Sequence, residues 1–419
     1  MNIGSLSPRR KKQKKLERET AAFFEEVSCP LPEKKLVSKK TGKCASVLSM
    51  PLTDLHTKFV EESGKNISFS HFAKCRPSNV RPMRQATLRQ CLCEYCTNVE
   101  LKLHTINKLA IRVDNNCRVR HVYHAVDIIT CDRENGAWQK VCAYRECSTC
   151  SIDKLDDHLQ PLLRHQGQLP WTKWECQANI VNGKRVTRKM LMKKQGTMEE
   201  LMVELRAEVT FLAGHLFRAD WQHRQFESMR KTTPFPRTTV SMVLDFAENF
   251  TCSNQDEVQA AHWYHEQVTV HPIVTYYVCP FCEETISESL VFISDDRHHD
   301  FNAVFHFTKV AIDHLRNTRG LELDHIIQWT DGCASQYKSK GPFSDISCAL
   351  ADFGCTFEQN YFGSRHGKGP SDGESAVVKH HAATAVKAGS HLITNANDLF
   401  NYCFASSLNK QPEGGCKHF

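Results

Sequence analysis

The rear half of the chain alternates between two hydrophobic periods, which predicts a series of strands and helices. Short apolar or alternating runs predict strands, whereas apolar residues at every third or fourth position predict helices. The predicted strands are 238–246, 267–278, 289–296, 325–331 and 355–363, and the predicted helices are 301–317, 344–353 and 371–388. Three strands followed by alternating helices and strands predict an α/β unit with one mixed sheet flanked by helices.

The front half is predicted to be helical. The patterns over 52–63 and 67–77 predict two helices joined by a turn, which could form a DNA-binding helix-turn-helix or two ordinary packed helices. We favour ordinary packing because no recognition helix is evident. The apolar repeat over 196–231 predicts one long amphipathic helix, whose apolar face could be core or a dimer surface. Core packing is favoured because sustained heptads are absent.

Changes in composition divide the 419 residues into predicted segments with different roles. The segments are a basic flexible arm at 1–35, a helical segment at 36–90, a cysteine-rich segment at 91–155, a helical linker with the long helix at 156–235, the α/β domain at 236–404, and a tail at 405–419. The cysteine-rich front is the candidate for binding, and the α/β domain is the candidate for catalysis.

The charge of the chain permits nucleic acid as a partner without deciding the matter. The formal net charge is +7, and residues 9–15 (RRKKQKK) could be a nuclear localisation signal, a phosphate-contacting arm or a solvated tail. Residues 1–20 lack the apolar core of a secretory signal, and no run reaches the roughly 18 apolar residues of a membrane span. We therefore expect a nuclear protein without a membrane partner.

Close cysteine spacing predicts zinc in the front half. Most of the 20 cysteines should be thiols in an intracellular protein, so zinc is expected before disulfides. Two Cys-x-x-Cys pairs, Cys93 with Cys96 and Cys147 with Cys150, could together bind a structural Zn2+ through four thiolates. The stretch between the pairs is longer than usual for such a site. Nearby, Cys131 and Cys142 precede the second pair, and His121 and His124 are substitute ligands.

Three aspartates carry the candidate chemistry of the rear half. The order of elements is that of the ribonuclease H-like architecture, a mixed five-stranded sheet in which the first and fourth strands are adjacent and parallel. Asp245 and Asp331 end these two strands, and Asp372 begins the last helix. Converging carboxylates repel each other unless a cation lies between them, which suits Mg2+ or Mn2+.

Each aspartate also has an ordinary explanation. Asp245 could end a strand, Asp331 could serve a turn, and Asp372 could be a first-turn helix acid favoured by the helix dipole. Glu374 competes as the third ligand, but the capping-box spacing of Ser371 and Glu374 predicts a reciprocal helix cap. We therefore prefer Asp372 for the site.

Candidate phosphate-binding residues surround the start of the last helix. The glycines of the segment His366-Gly-Lys368-Gly let backbone N–H groups approach an anion, and Lys368 supplies charge. Lys379 lies on the same helix face as Asp372. All of these could instead be solvated loop or helix residues. A polar group after the third strand could join the site or only begin the next helix: Asp295, Asp296, His299 and Asp300.

Longer motifs resemble a known group of proteins. LDFAENFTCSNQDEVQAAHW, TDGCASQYKSK, FGSRHGKGPSDG and CLCEYCTN are similar to motifs of uncharacterised transposase-like proteins in animal genomes, which resemble DDE/D cut-and-paste transposases. The resemblance runs from about residue 23 to 403. It implies Asp245, Asp331 and Asp372 as the catalytic triad. Since no obvious DNA-binding domain follows the last helix, recognition of element ends is expected to come from the front half or to be absent.

These features predict a DDD transposase, or a protein derived from one, that cleaves and transfers DNA strands. Two metal ions held by the aspartates would activate water and stabilise the leaving oxygen, and the freed 3′-hydroxyl would attack target DNA. The expected partner is double-stranded DNA, at element ends and target, and paired-end chemistry suggests a homodimer. The alternatives are a catalytically inactive, host-retained zinc and DNA-binding protein, or a ribonuclease H-like nuclease without strand transfer.

Overall fold

The computed structural model describes most of the chain: residues 8–30, 46–48, 52–81, 92–181, 184–231, 235–364, 366–367, 369–406 and 408. The chain divides into two units, residues 1–213 and 214–419, which are considered one at a time. Within the described ranges, no helix combines the length and the apolar character needed to cross a membrane.

An aromatic cluster organises the first part of the front unit. Its elements are helices α1 (Pro8–Val27), α2 (Leu52–Ser63) and α3 (Phe69–Lys74), and strands β1 (Ser28–Pro30), β2 (Ser46–Leu48) and β3 (Val80–Arg81), which pair in that order. Phe23 and Phe24 of α1 are buried against Phe59 of α2 and Phe72 of α3, with ring centroids 4.6 to 6.4 Å apart. Burial of large aromatic rings is the main source of stability in so small a core.

The predicted flexible arm at 1–35 differs from the structure, in which residues 8–27 form α1. The prediction weighed the charges at the start of this segment. Phe23 and Phe24 at the other end give the helix an apolar anchor, because burying them offsets the cost of ordering the charged turns before them.

A β-hairpin follows the cysteine-rich segment of the front unit. The elements are helices α4 (Glu94–Val113), α5 (Val122–Ile129), α6 (Lys140–Ala143) and α7 (Asp153–Leu159), a 3-10 turn (Asn115–Cys117), strands β4 (Leu169–Val181) and β5 (Lys184–Gly196), and helix α8 (Met198–Lys231), within which the unit boundary falls. The predicted long helix is confirmed as α8. The prediction of a helical linker over 156–235 was wrong, because β4 and β5 form a hairpin there. β5 is mostly exposed and rich in lysine and arginine, which hides its strand period.

Side chains of α4 bind the outer edge of β4. The Asn98 amide accepts a hydrogen bond from the Trp174 backbone nitrogen at 2.8 Å and donates one to the Trp174 carbonyl oxygen at 2.9 Å. The Thr105 hydroxyl donates to the Pro170 carbonyl oxygen at 2.8 Å. The amide of Asn98 therefore occupies both backbone groups that a neighbouring strand would use.

The rear unit contains the predicted mixed sheet. Its elements are β6 (Thr239–Leu244), β7 (Phe250–Thr251), β8 (Gln267–Val278), β9 (Thr285–Ser294), α9 (Phe301–Asn317), β10 (His325–Thr330), α10 (Lys340–Phe353), β11 (Thr356–Tyr361), α11 (Pro370–Lys387) and α12 (Ala396–Ala405). The strand order is β11-β10-β6-β8-β9, with β7 beside the start of β8, so the sheet has six strands rather than the predicted five. β10 pairs in parallel with β6 and β11, and the other pairs are antiparallel.

Strand β6 is central because both of its faces are buried. Val240, Met242 and Leu244 pack in a core with α9 on one face. Val243 packs on the other face, with Phe226 of α8. A strand covered on both sides favours a continuous apolar run, which is why the sequence revealed it.

A buried carboxylate fastens α9 to the sheet. Glu288 of β9 accepts hydrogen bonds from the Tyr277 hydroxyl at 2.7 Å and from Arg319 Nε at 3.0 Å, and its Oε1 lies 3.1 Å from His314 Nε2. Burial raises the pKa of Glu288, but the bonds from His314, Arg319 and Tyr277 outweigh it and lower that pKa to about 2. The ionised carboxylate is therefore the form that the fold stabilises.

Glu288→Gln should destabilise the rear unit by about 2 kcal/mol near neutral pH, because charge-assisted bonds are lost. Since the folded pKa lies below the unfolded one, the difference should shrink as the pH falls from about 4.5 towards about 2. Urea denaturation, monitored by hydrogen exchange of peptides from α9, measures this difference in stability. Glu283→Gln, which removes an exposed pair with Arg237, is the matched control and should change stability by less than about 0.5 kcal/mol. Equal effects of the two variants would contradict this role of Glu288.

Candidate active site and metal-ligand groups

The pairing of β6 with β10 brings two of the predicted aspartates to one edge of the sheet. The register aligns Val243 with Trp329, so two residues further on Asp245 lies opposite Asp331. The strands are parallel, and their carboxyl ends therefore meet at the same edge. The Asp331 carboxylate also accepts a hydrogen bond from the Cys333 backbone nitrogen at 2.8 Å, which fixes the turn after β10.

The third aspartate is held near the same edge by its helix. The buried Ser371 hydroxyl at the start of α11 donates to the Val243 carbonyl oxygen of β6 at 2.9 Å. The Asp372 carboxylate accepts from the Gly369 backbone nitrogen at 2.9 Å and forms the helix cap. The predicted cap between Ser371 and Glu374 was wrong, because the helix begins at Pro370 and its third residue is Asp372.

The three carboxylates influence one another electrostatically. Burial, followed by the negative charges of Asp331 and Asp372, raises the pKa of Asp245 to about 7. Such a shift indicates carboxylates that repel one another in a poorly solvated place. The carboxylate oxygens of the three described aspartates do not all lie within 4.8 Å of one another. The aspartates thus form an acidic cluster, in which the ligand atoms are farther apart than the sulfur atoms of the four-cysteine group described below.

A cleft of about 460 Å³ opens at this edge. Asp245 and Asp331 line it together with Glu248, Asn249, His299 and Gln336. Its donors are mainly oxygen atoms, which suit Mg2+ and Mn2+ better than softer metals. The residues present therefore fit a hard divalent cation.

His299, one of the residues that could have joined the site, does line the cleft. Its ring stacks on Phe246 with centroids 4.3 Å apart, and its Nε2 lies 2.9 Å from the Thr269 hydroxyl. That hydroxyl donates to the Asp296 carbonyl oxygen at 2.7 Å, so it accepts a hydrogen bond from His299. Burial lowers the pKa of His299, which favours the neutral ring. Asp300 instead caps α9 by accepting a hydrogen bond from the Ala303 nitrogen.

Two buried polar residues near the cluster were missed by the sequence analysis. Tyr337 is buried, and its hydroxyl lies 3.4 Å from Nε2 of the buried His271. Burial and the charges of Asp245 and Asp331 raise the pKa of Tyr337, and burial lowers the pKa of His271 to about 3. Both side chains are therefore neutral. His271 is a single polar residue in an apolar strand and Tyr337 lies in the polar segment after Asp331, so neither has a spacing signal that could have revealed it.

The predicted phosphate-binding residues occupy different environments. Lys379 of α11 donates to the Glu248 carbonyl oxygen at 2.9 Å, in the segment that follows Asp245. His366 Nε2 lies 3.0 Å from His215 Nε2. Lys368 lies outside the described residues. The structure shows a close backbone approach at Gly367, because an added Cβ there would lie 2.8 Å from Asp331 Cβ. The backbone at Gly367 therefore passes directly beside an acidic residue.

The cysteines group differently from the prediction. Cys147 and Cys150 lie with Cys131 and Cys142, and the four Sγ atoms are all within 4.8 Å of one another, which is a group that could hold a metal ion such as zinc. The predicted set with Cys93 and Cys96 was not assembled, because the chain returns to Cys131 at the end of α5, much nearer in sequence. Hydrogen bonds from its thiol neighbours raise the pKa of Cys131 to about 12, whereas the Thr149 backbone N–H lowers that of Cys147 to about 6.

Cys93 and Cys96 lie together at the start of α4, where Cys93 is the N-cap residue. A hydrogen bond with Cys93, together with burial, raises the pKa of Cys96. The substitute ligands serve α5 instead: Nδ1 of His121 accepts from the His124 nitrogen, and Nδ1 of His124 accepts from the Arg120 nitrogen, both at 3.1 Å. These histidines are therefore explained by local capping.

A further group of candidate metal ligands, which the sequence analysis missed, lies between β7 and β8: Glu257, His262 and His265. Glu257 accepts from His265 Nε2 at 2.8 Å and lies 3.2 Å from His262 Nδ1. Bonds from His265 and then His262 lower the pKa of Glu257. The His-x-x-His spacing of residues 262–265 was the available signal.

Two family matches cover parts of the chain. Residues 222–411 match a family described as a domain of unknown function (DUF8701), and residues 11–84 match another described as a domain of unknown function (DUF8699). No curated protein and no solved structure matches the chain. The first match includes all three aspartates and every strand of the mixed sheet, whereas the second includes the aromatic cluster of α1 to α3.

Asp245→Asn should stabilise the metal-free protein at about pH 8 by roughly 2–4 kcal/mol, because it removes an ionised, half-buried carboxylate from beside two others. The folded pKa is raised, so the benefit should vanish as the pH falls from about 7 to about 4 and Asp245 becomes protonated. Thermal unfolding in chelator across this range measures it. Asp295→Asn, at an exposed position of the same unit, should show no such dependence; a parallel trend there would contradict the assignment.

Proposed function

We propose that the protein is a DDD transposase, or a protein derived from one, whose rear unit is a ribonuclease H-like domain acting on DNA strands. The strand order β11-β10-β6-β8-β9 supports the fold proposal, because it is the order expected for that architecture with β6 as its central first strand. The observation that carries the functional proposal is the acidic cluster at the ends of β6 and β10, with the pKa of Asp245 raised by burial and then by its acidic neighbours.

Asp245, Asp331 and Asp372 would hold Mg2+ or Mn2+. When bound, such ions supply a nucleophilic water at neutral pH and stabilise the charge on the leaving oxygen of a phosphodiester. The fit rests on the donor set and on the pKa of Asp245, which is raised by burial and then by the charges of Asp331 and Asp372, because a nearby cation would favour the ionised carboxylate against both effects.

The chain's own residues would position the DNA backbone. Gly367 would let the loop approach the acidic edge closely, because an added Cβ there would lie 2.8 Å from Asp331 Cβ, and its backbone N–H would be available to a phosphate. Lys379 ties α11 to the segment after Asp245 through the Glu248 carbonyl oxygen, which keeps the helix carrying Asp372 near β6. His299, held by Phe246 and Thr269, would orient groups on the cleft wall in its neutral form.

Double-stranded DNA is the proposed partner, at the element ends and at the target, and the proposed location is the nucleus. Recognition of the ends would come from the front unit, and a homodimer would pair them. The net charge of +7 supports an anionic partner through salt-sensitive contacts. The rivals remain a nuclease without strand transfer and an inactive zinc and DNA-binding protein derived from such an enzyme.

Cleavage of labelled duplex DNA carrying inverted repeats from the flanking genomic sequence tests the proposal. The native chain should nick it with Mg2+ or Mn2+, and Asp331→Asn should lower the rate by about 10³-fold, since about 4 kcal/mol of charge stabilisation is lost. Asp295→Asn is the control and should cut normally. Joining of 3′-hydroxyl ends to target DNA would favour the transposase over the nuclease. Salt-sensitive binding without cutting by any chain would overturn the enzyme and favour the binding protein.

Gly367→Ala tests the close approach to Asp331. The added methyl group would displace the loop or the carboxylate, so Mn2+ binding should weaken by about 10-fold. Gly373→Ala in α11 is the matched control, because a Cβ there meets no atom within 4 Å; it should keep native Mn2+ affinity and gain up to about 1 kcal/mol of stability. Isothermal titration calorimetry with Mn2+ distinguishes the two, and equal affinities would show that Gly367 does not shape the site.

A further inference from the structure

Residues 131–150 form a folded segment with almost no apolar core. All of these residues are described, and among them only Trp138, Cys142 and Ala143 are buried. Asn135 and Arg145 adopt left-handed backbone conformations, with φ of 49° and 58°, which is costly for residues with a side chain. A segment of this kind needs a stabilising interaction other than hydrophobic burial.

Four thiols converge at the place where that interaction is needed. Cys131 Sγ lies 3.8 Å from Cys147 Sγ and 3.7 Å from Cys150 Sγ, and Cys142 Sγ completes a group in which all distances are within 4.8 Å. All four are free thiols, and these separations are far longer than the roughly 2.05 Å of a disulfide bond. The group is therefore not a pair of disulfides.

The observed separations suit a tetrahedral metal ion. Four sulfur ligands at about 2.3 Å from a central zinc ion lie about 3.8 Å from one another. The two Sγ distances from Cys131 agree with this value. Thiolates are soft ligands, and a tetrahedral set of four selects zinc, or a mononuclear iron, over Mg2+ or Ca2+.

The local backbone is arranged to present these sulfurs. Cys131 follows the end of α5, and Cys142 lies in α6. After α6 the chain turns back through Arg145, with the Glu146 nitrogen donating to the Val141 carbonyl oxygen at 2.8 Å. Cys147 and Cys150 close a turn in which the Cys150 nitrogen donates to the Cys147 carbonyl oxygen at 3.3 Å. Backbone turns between two ligand cysteines are typical of structural zinc sites.

We propose that Cys131, Cys142, Cys147 and Cys150 bind one structural zinc ion, which holds together the ends of α5, α6 and the turn before α7. The ion takes the place of the missing apolar core. Four protein ligands fill the tetrahedron and leave no position for water or substrate, so the site is structural rather than catalytic. Binding releases a proton from each of the four cysteines that is not already ionised, and no redox partner is required.

Metal analysis of the full-length chain, purified under reducing conditions, tests the ligand set. Cys142→Ser and Cys147→Ser should each contain about one zinc ion per chain less than the native protein, because three thiolates bind much more weakly than four. Cys176→Ser and Cys348→Ser are matched controls at exposed positions, one in each unit, and should keep the native content. Native zinc content in both ligand variants, or iron in place of zinc in the native chain, would overturn the proposal.

A second variant guards against simple misfolding. Cys150→His supplies a nitrogen ligand that zinc accepts, so this chain should retain zinc. After exchange of zinc for Co2+, the native site should give the visible absorption of a tetrahedral cobalt thiolate, and Cys150→His should shift it to shorter wavelength. Loss of zinc from the serine variants together with an unshifted cobalt spectrum in Cys150→His would also rule out Cys150 as a ligand.

Discussion

The parallel pairing of β6 with β10 is the constraint on which the acidic cluster depends. Both strands run in the same direction, and their register brings Asp245 opposite Asp331. β6 is fixed in turn by cores on both of its faces, so neither strand can slip without exposing a buried set of side chains. The hydrogen bond from Ser371 to Val243 then attaches α11 to the same strand. The geometry of the sheet therefore brings the three carboxylates together, although their like charges repel one another.

Much of this arrangement is readable from the sequence, for a physical reason. β8 and α9 have the predicted bounds, because a doubly covered strand and an amphipathic helix have the clearest hydrophobic patterns. Once strands and order are known, the residues that follow β6 and β10 are known as well. The side chains that surround these residues could not be predicted from the sequence. The pairing of His271 with Tyr337, for example, depends on contacts between elements distant along the chain.

The front unit was harder to predict because its order does not come from long apolar periods. The first helix is charged along most of its length and is anchored by Phe23 and Phe24. The cysteine pairs gave the right chemistry with the wrong partners, because spacing alone cannot decide which of several thiols meet in space. Cys131 and Cys142 were visible as neighbours of the second pair, and only the fold around α5 and α6 selects them over Cys93 and Cys96.

The hairpin of β4 and β5 has a consequence for the solubility of the chain. A long two-stranded ribbon has two open edges, and each edge is a template on which another molecule could add a strand. Asn98 closes part of one edge with a side-chain amide. The other strand carries Arg185, Arg188 and Lys193, whose like charges repel a second copy. Loss of the Asn98 amide would thus expose the edge of β4. Its main effect would be precipitation of the folded protein at high concentration, where exposed edges of two molecules can pair.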